Sequence, residues 1–260
     1  VMSALAGTGV PVPKMLHLSD DDSPIGTMFF VMEMLNGRVF WDPALPEITA
    51  ADRSTYYEAM VDVLARLHSV DPGSAGLQGF GAPGNYFARQ VGRWTKQYRA
   101  AELEKQPQVD WLIDWLADNM PDDDGQLCIV HGDYRLDNLM FAPDASRIIG
   151  VLDWELSTLG HPMADLAYQC MGLRLPDWGI ARGLADRDRA ALRIPSEQEY
   201  VATYCDRRAI AAPDNWNFFI TFSYFRLIAI LQGVIRRAVD GNASNPGDMD
   251  KMRAVVPVLA

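Results

Sequence analysis

The order of apolar and polar positions along this chain predicts a few strands and then many helices. Residues 14–18 and 27–35 read as strands around a polar turn at 19–26. The run from Thr27 to Met32 is continuously apolar, which predicts a buried strand, and Asn36-Gly37 stops it. Tyr57, Met60, Val61, Leu64 and Leu67 follow helical spacing, so a helix is expected from Thr49 or Asp52 to about His68, ended by Asp71-Pro72-Gly73. Further helices are expected near 86–103 and 109–119. Short strands are expected at 126–130, 139–141 and 148–152. The remainder reads as helix at 163–173, 196–210, 216–239 and from a start near Asp248. One compact β cluster between helices is an α+β arrangement, not a doubly wound sheet. No internal repeat or low-complexity tract interrupts it.

The segment 216–235 is apolar enough to raise the question of a membrane. Arg226 at its middle, with Asn217, Thr221, Ser223 and Gln232, favours a buried core helix, because a central Arg is costly in lipid. The chain of 260 residues has a formal net charge of -11, which argues against a nucleic-acid partner. Nearly half of the residues are apolar, enough for a sizeable core. The three cysteines, Cys128, Cys170 and Cys205, lack paired spacing and read as buried free thiols. They suggest a reducing compartment, and a cytoplasmic location is expected. Residues 1–10 show no charged n-region or long apolar h-region, so no signal peptide is expected.

The chemistry concentrates between His131 and Asp153. The sequence reads His131-Gly132-Asp133-Tyr134-Arg135-Leu136-Asp137-Asn138, and the strand Ile149-Gly150-Val151-Leu152 then delivers Asp153. Asp133, Asn138 and Asp153 are oxygen donors at the ends of short strands, an array that suits a hard cation such as magnesium. In phosphoryl transfer, an Asp with an Asn five residues on serves the acceptor hydroxyl and a metal, and a later Asp holds magnesium against the ATP phosphates. Here Gly132 stands where kinase loops carry Arg.

With Leu152-Asp153-Trp154-Glu155, Gly160-His161-Pro162-x-x-Asp165-Leu166-Ala167, Leu64-Ala-Arg-Leu-His68 and Arg89-Gln-Val-Gly-Arg-Trp94, the sequence resembles the aminoglycoside phosphotransferase and choline-kinase-like family. It looks most like the branch associated with acyl-CoA dehydrogenases, over nearly the whole chain. The resemblance implies a protein-kinase-like two-lobed fold. Residues 1–35 would be the remnant of a small nucleotide-binding β lobe with the hinge, and 36–260 a large, mainly helical catalytic lobe. The implied enzyme is an ATP- and Mg2+-dependent kinase acting on a small hydroxyl-bearing molecule. Asp133 would be the catalytic base, His131 would brace the loop, and Asp165 would accept its backbone donors. Asn138 and Asp153 would be magnesium ligands. Met32, Glu33 and Leu35 would form the adenine-binding hinge. The family's phosphate-covering loop, its ATP-binding Lys and the partnering Glu are not visible before the hinge. The chain is therefore expected to be a fragment of a longer protein.

Bland readings stand beside these. Asp133 and Asn138 are residue types that favour turns. His131 is expected to be structural rather than a proton shuttle, His161 a loop or cap residue, and His68 a helix-end residue. Glu155 is either near the metal or substrate, or simply solvated. Arg89, Arg93 and Lys96 share a helix face that is either solvated or meets an anionic substrate. Two rival functions remain: a metal-dependent phosphohydrolase using His131, Asp133, Asp153, His161 and Asp165, and a non-catalytic nucleotide-binding pseudokinase. A metabolic hydroxyl compound, such as a hydroxyacyl species, ranks above an aminoglycoside as acceptor.

Overall fold

The computed structural model describes residues 1–19, 25–82, 84–178, 182–242 and 249–260. Most of the expected turn at 19–26, and the expected helix start at Asp248, lie outside them. The described residues form two compact units, and both the expected lobe boundary after residue 35 and the candidate catalytic loop lie in the first.

The first unit comprises Val1–Ala82, Leu127–Leu166 and Arg187–Ala212. It opens with a short helix α1 (Met2–Leu5) and an antiparallel ribbon of β1 (Met15–Ser19) and β2 (Phe29–Met32). The long helix α2 (Ala50–Ser69) is its backbone, and Tyr57, Met60, Leu64 and Leu67 on its inner face are buried. Asp71 ends it: the carboxylate accepts from the Gly73 and Ser74 amides at 3.0 and 3.2 Å, an Asx turn built from a side chain. Strands β3 (Cys128–Val130) and β6 (Thr158–Gly160) pair antiparallel, as do β4 (Leu139–Phe141) and β5 (Ile148–Val151). Two short helices complete the unit after α5, which spans Met163–Arg174: α6 (Arg189–Leu192) and α7 (Glu197–Arg208). A reciprocal capping box between Ser196 and Glu199 starts α7.

The second unit comprises Pro83–Gln126, Ala167–Asp186 and Pro213–Ala260. It holds α3 (Tyr86–Ala101), α4 (Pro107–Asp118), most of α5, α8 (Trp216–Val239) and α9 (Met249–Leu259). Asn85 caps α3, accepting from the Ala88 amide at 3.0 Å, and Pro107 opens α4. Helix α8 is long and apolar enough to cross a membrane, but it packs as a core helix here. Its Arg226 is buried between rings, 5.4 Å from the Trp94 centroid and 4.8 Å from that of Tyr168.

One expectation is overturned. The apolar run in β2 is not buried: Phe30, Val31 and Met32 are about half exposed, and Met34 is 95% exposed. A two-stranded ribbon has one paired edge per strand, and no further layer covers its faces among the described residues. Its apolar side chains line a concavity instead. Strand β6 and helix α6 were missed in the sequence, because each is only a turn or a strand of a few residues whose pairing comes from distant chain. The three cysteines are free and buried as expected. Burial pushes the Cys128 thiol well above its ordinary range, aided by the Asp165 charge.

Candidate active site

The candidate catalytic loop hangs from one carboxylate. Asp165, in the first turn of α5, is fully buried. Its Oδ2 accepts the His131 amide at 2.6 Å, and its Oδ1 accepts the Gly132 amide at 2.8 Å. The same Oδ2 meets His68 Nε2 at 3.2 Å, and His68 Nδ1 lies 2.6 Å from the Tyr204 hydroxyl. Burial alone would raise the Asp165 carboxyl. The hydrogen bonds it accepts, from His68 first and from the Gly132 amide, oppose this, and the group is held below its ordinary value. Burial dominates at His68 and lowers its pKa despite the neighbouring carboxylate. The pair is therefore an ionised Asp165 and a neutral His68 whose Nε2–H donates to it. Its Nδ1 accepts from Tyr204.

His131 is structural by the same accounting. The Asp133 amide donates to its Nδ1 at 3.1 Å, so its proton is on Nε2, which donates to the Leu152 carbonyl at 2.8 Å. Both ring nitrogens are committed. The ring also packs on Trp154, with centroids 4.7 Å apart. His161 is committed too: its Nδ1 accepts the Met163 amide at 3.2 Å and caps α5. A two-metal hydrolase centre that uses His131 as a ligand loses that donor.

Gly132 has φ +84, and a Cβ there would lie 2.4 Å from the Leu156 carbonyl oxygen. Only glycine satisfies both the left-handed backbone and that contact, which is why no Arg stands at this place in the loop. Asn138 Nδ2 donates to the Asp133 carbonyl and to Asp133 Oδ2, each at 2.9 Å. The amide is thereby oriented, and its Oδ1 is left over as an oxygen donor. Leu152 N donates to the Asn138 carbonyl at 2.9 Å. Asp153 follows directly, so His131 and Asn138 tie the loop to the residue before Asp153 at two points. Asp153 itself has φ 62, ψ 62, a left-handed conformation for a residue with a Cβ, which costs on the order of 1–2 kcal/mol. Asp153 and Glu155 are exposed.

The donors present fit magnesium: one amide oxygen and one carboxylate, both hard, with room for water and phosphate oxygens. Asp153, Trp154 and Glu155 also line a cavity of about 670 Å³ with Met15, Leu18, Phe30 and Met32. Glu33, next in chain, donates its amide to the Lys14 carbonyl at 2.9 Å and accepts the Lys14 amide on Oε1 at 2.8 Å. No backbone hydrogen bond engages the Glu33 carbonyl or the Leu35 amide among the described residues. The remaining candidates lie elsewhere: Arg89 and Arg93 are on α3 of the second unit. Arg89 donates to the Gly84 carbonyl, and the Arg93 guanidinium lies over Trp94 at 5.5 Å.

The sequence reading missed His68 as a member of this site. A signal was available. His68 continues the buried stripe of α2 through Met60 and Leu64, and a histidine in that register must find a polar partner inside.

The sequence pattern of the phosphotransferase enzyme family matches residues 1–204. The chain belongs to this family. It is 48% identical over 246 residues to acyl-CoA dehydrogenase family member 10 of Mus musculus, covering 94% of this chain and 23% of that protein. It thus spans about a quarter of that relative's length. A solved Ralstonia eutropha JMP134 protein, provisionally named an aminoglycoside phosphotransferase, superposes with a TM-score of 0.93 at 49% identity, covering 99% of this chain and 78% of that one. The Streptomyces rimosus aminoglycoside phosphotransferase solved with ADP and streptomycin shares the fold at a TM-score of 0.59 and 18% identity, over 86% and 79% of the two chains. The expected α+β, protein-kinase-like fold is thereby established.

Proposed function

We propose that the chain moves the γ-phosphoryl group of ATP, with Mg2+, to a hydroxyl of a small molecule. The observation that carries this reading is the joined geometry of Asp133, Asn138 and Asp153. One Asp133 oxygen is held by Asn138, so the other is aimed and free to take a proton. Asn138 Oδ1 and the Asp153 carboxylate are the oxygens that would hold the metal. Bound magnesium would neutralise charge on the transferring phosphates. Asp133 orients the acceptor hydroxyl and accepts its proton as the oxygen attacks the γ-phosphorus. The bond to the β–γ bridging oxygen breaks and ADP leaves. His131 and Asp165 keep the loop in the geometry that makes this attack in line. The cavity walled by Met32 and Phe30 on one side and Asp153 on the other suits a base at its apolar end and phosphates at its acidic end. Met32, the Glu33 carbonyl and the Leu35 amide would receive the adenine. An ADP complex of a family member of the same fold supports a nucleotide here.

The acceptor we favour is a hydroxyacyl compound, because relatives at this identity carry acyl-CoA dehydrogenase in their name. Glu155 would face the substrate or the metal's waters. The test is ADP formation with magnesium against hydroxyacyl compounds, choline-like alcohols and aminoglycosides. Acceptor-dependent turnover should fall by about 10²–10⁴-fold in Asp133→Ala with ATP binding retained. Failure of the wild-type chain to bind ATP with magnesium would sink the reading. Phosphate release from a phosphoester without nucleotide would replace it with a hydrolase.

A further inference from the structure

A second cavity in the first unit, of about 700 Å³, takes no part in the site above. Ser54, Tyr57 and Glu58 of α2 form one wall, and Arg189 and Arg193, at the two ends of α6, line another. Tyr57 and His68 lie on the same helix, roughly 16 Å apart at its rise per residue, so this cavity is remote from the Asp165 brace.

One guanidinium nitrogen here lacks an acceptor. Arg189 Nη1 is shielded from solvent and has no hydrogen-bond partner. Among the described residues neither Arg189 nor Arg193 makes an ion pair. Arg187 lines the same cavity. Two carboxylates along the wall already accept hydrogen bonds from neutral donors. Asp188 Oδ1 accepts the Ala191 amide at 3.0 Å and caps α6. Glu199 Oε2 accepts the Ser196 amide and hydroxyl at 2.8 and 2.7 Å. Glu58 is exposed on α2. The Tyr57 hydroxyl donates to the Pro43 carbonyl at 2.6 Å and accepts nothing from Arg189 Nη1.

A guanidinium cannot shed its proton to escape this position, and a buried donor without an acceptor is unfavourable. An acceptor brought from outside resolves both. A monocarboxylate saturates one guanidinium fork, whereas a multiply charged phosphate has oxygens for several. The cavity volume lies in the range of small-molecule pockets, roughly 300–1,000 Å³. We propose that this cavity binds a phosphate-bearing small molecule, whose phosphate is received by Arg189 and Arg193.

Inorganic phosphate is the probe, titrated against chloride at matched ionic strength and followed by thermal melting of the whole chain. Phosphate should raise the midpoint of wild type and of Asp153→Asn alike. Its apparent Kd should weaken at least tenfold in Arg189→Met and several-fold in Arg193→Met, whose exposed side chain makes misfolding no concern. In phosphate-free buffer Arg189→Met should melt no lower than wild type, because the unpartnered donor is gone. Three results overturn the proposal: no phosphate shift in wild type, an equal shift in both arginine variants, or a shift lost in Asp153→Asn and kept in the arginine variants. The last would assign the phosphate to the catalytic loop.

Discussion

Replacing Asp165 with Asn tests whether one buried carboxylate shapes the candidate catalytic loop. The carboxylate accepts the His131 amide at 2.6 Å, the Gly132 amide at 2.8 Å and His68 Nε2 at 3.2 Å. Asn offers one acceptor oxygen and an NH2 group. Whichever way its amide turns, at least one of these donors faces another donor in a fully buried site. Hydrogen bonds to charged groups contribute about 1.5–3 kcal/mol each, and an orphaned buried donor costs about 1–3 kcal/mol. The expected loss is about 3–5 kcal/mol, the range for breaking a buried pair. In a chain of this size that lowers the thermal midpoint on the order of 10 °C. Thermal and urea unfolding of Asp165→Asn and wild type, with hydrogen exchange at the His131 and Gly132 amides, measures it. Asp133→Asn is the control, since Asp133 is only half-buried and should leave the midpoint almost unchanged. A midpoint for Asp165→Asn within 2–3 °C (about 1 kcal/mol), with both amides still protected, would refute the reasoning.

Other expectations follow from the same geometry. Gly132→Ala should destabilise by several kcal/mol, on the order of 3, because a Cβ would meet the Leu156 carbonyl oxygen at 2.4 Å on a backbone of φ +84; an unchanged urea midpoint would contradict the close approach. Asp153→Gly should leave stability unchanged or raise it by about 1 kcal/mol, by relieving the left-handed strain, while abolishing magnesium-dependent turnover; a less stable variant would show that the Asp153 side chain itself holds the fold. The pKa of His68 is lowered in the folded chain from 6.5. The unfolded chain therefore takes up the proton first, so stability is complete above pH 6.5 and declines as pH falls below it. Asp165, lowered from 3.8, adds a further loss below that value. Urea midpoints across pH should show the first decline in wild type, and His68→Gln should flatten it.

Much of this protein was legible in its sequence because the signals are local. Helical spacing of apolar residues marked α2, α3 and α8, and α8 was placed at its observed bounds. The loop from His131 to Asn138 and the following Asp153 stood out by residue type and spacing as the candidate site. The tertiary structure decided what those residues do to one another. The protonated nitrogen of His131 follows from an amide two residues away and a carbonyl 21 residues on, and no local pattern encodes that pairing. His68 read as a helix end and proved to be a buried partner of Asp165, from a chain separation of 97 residues. The apolar run in β2 was misread for the converse reason. Hydropathy records what a strand could bury, but burial needs a covering layer, and which segments supply one is a property of the whole fold.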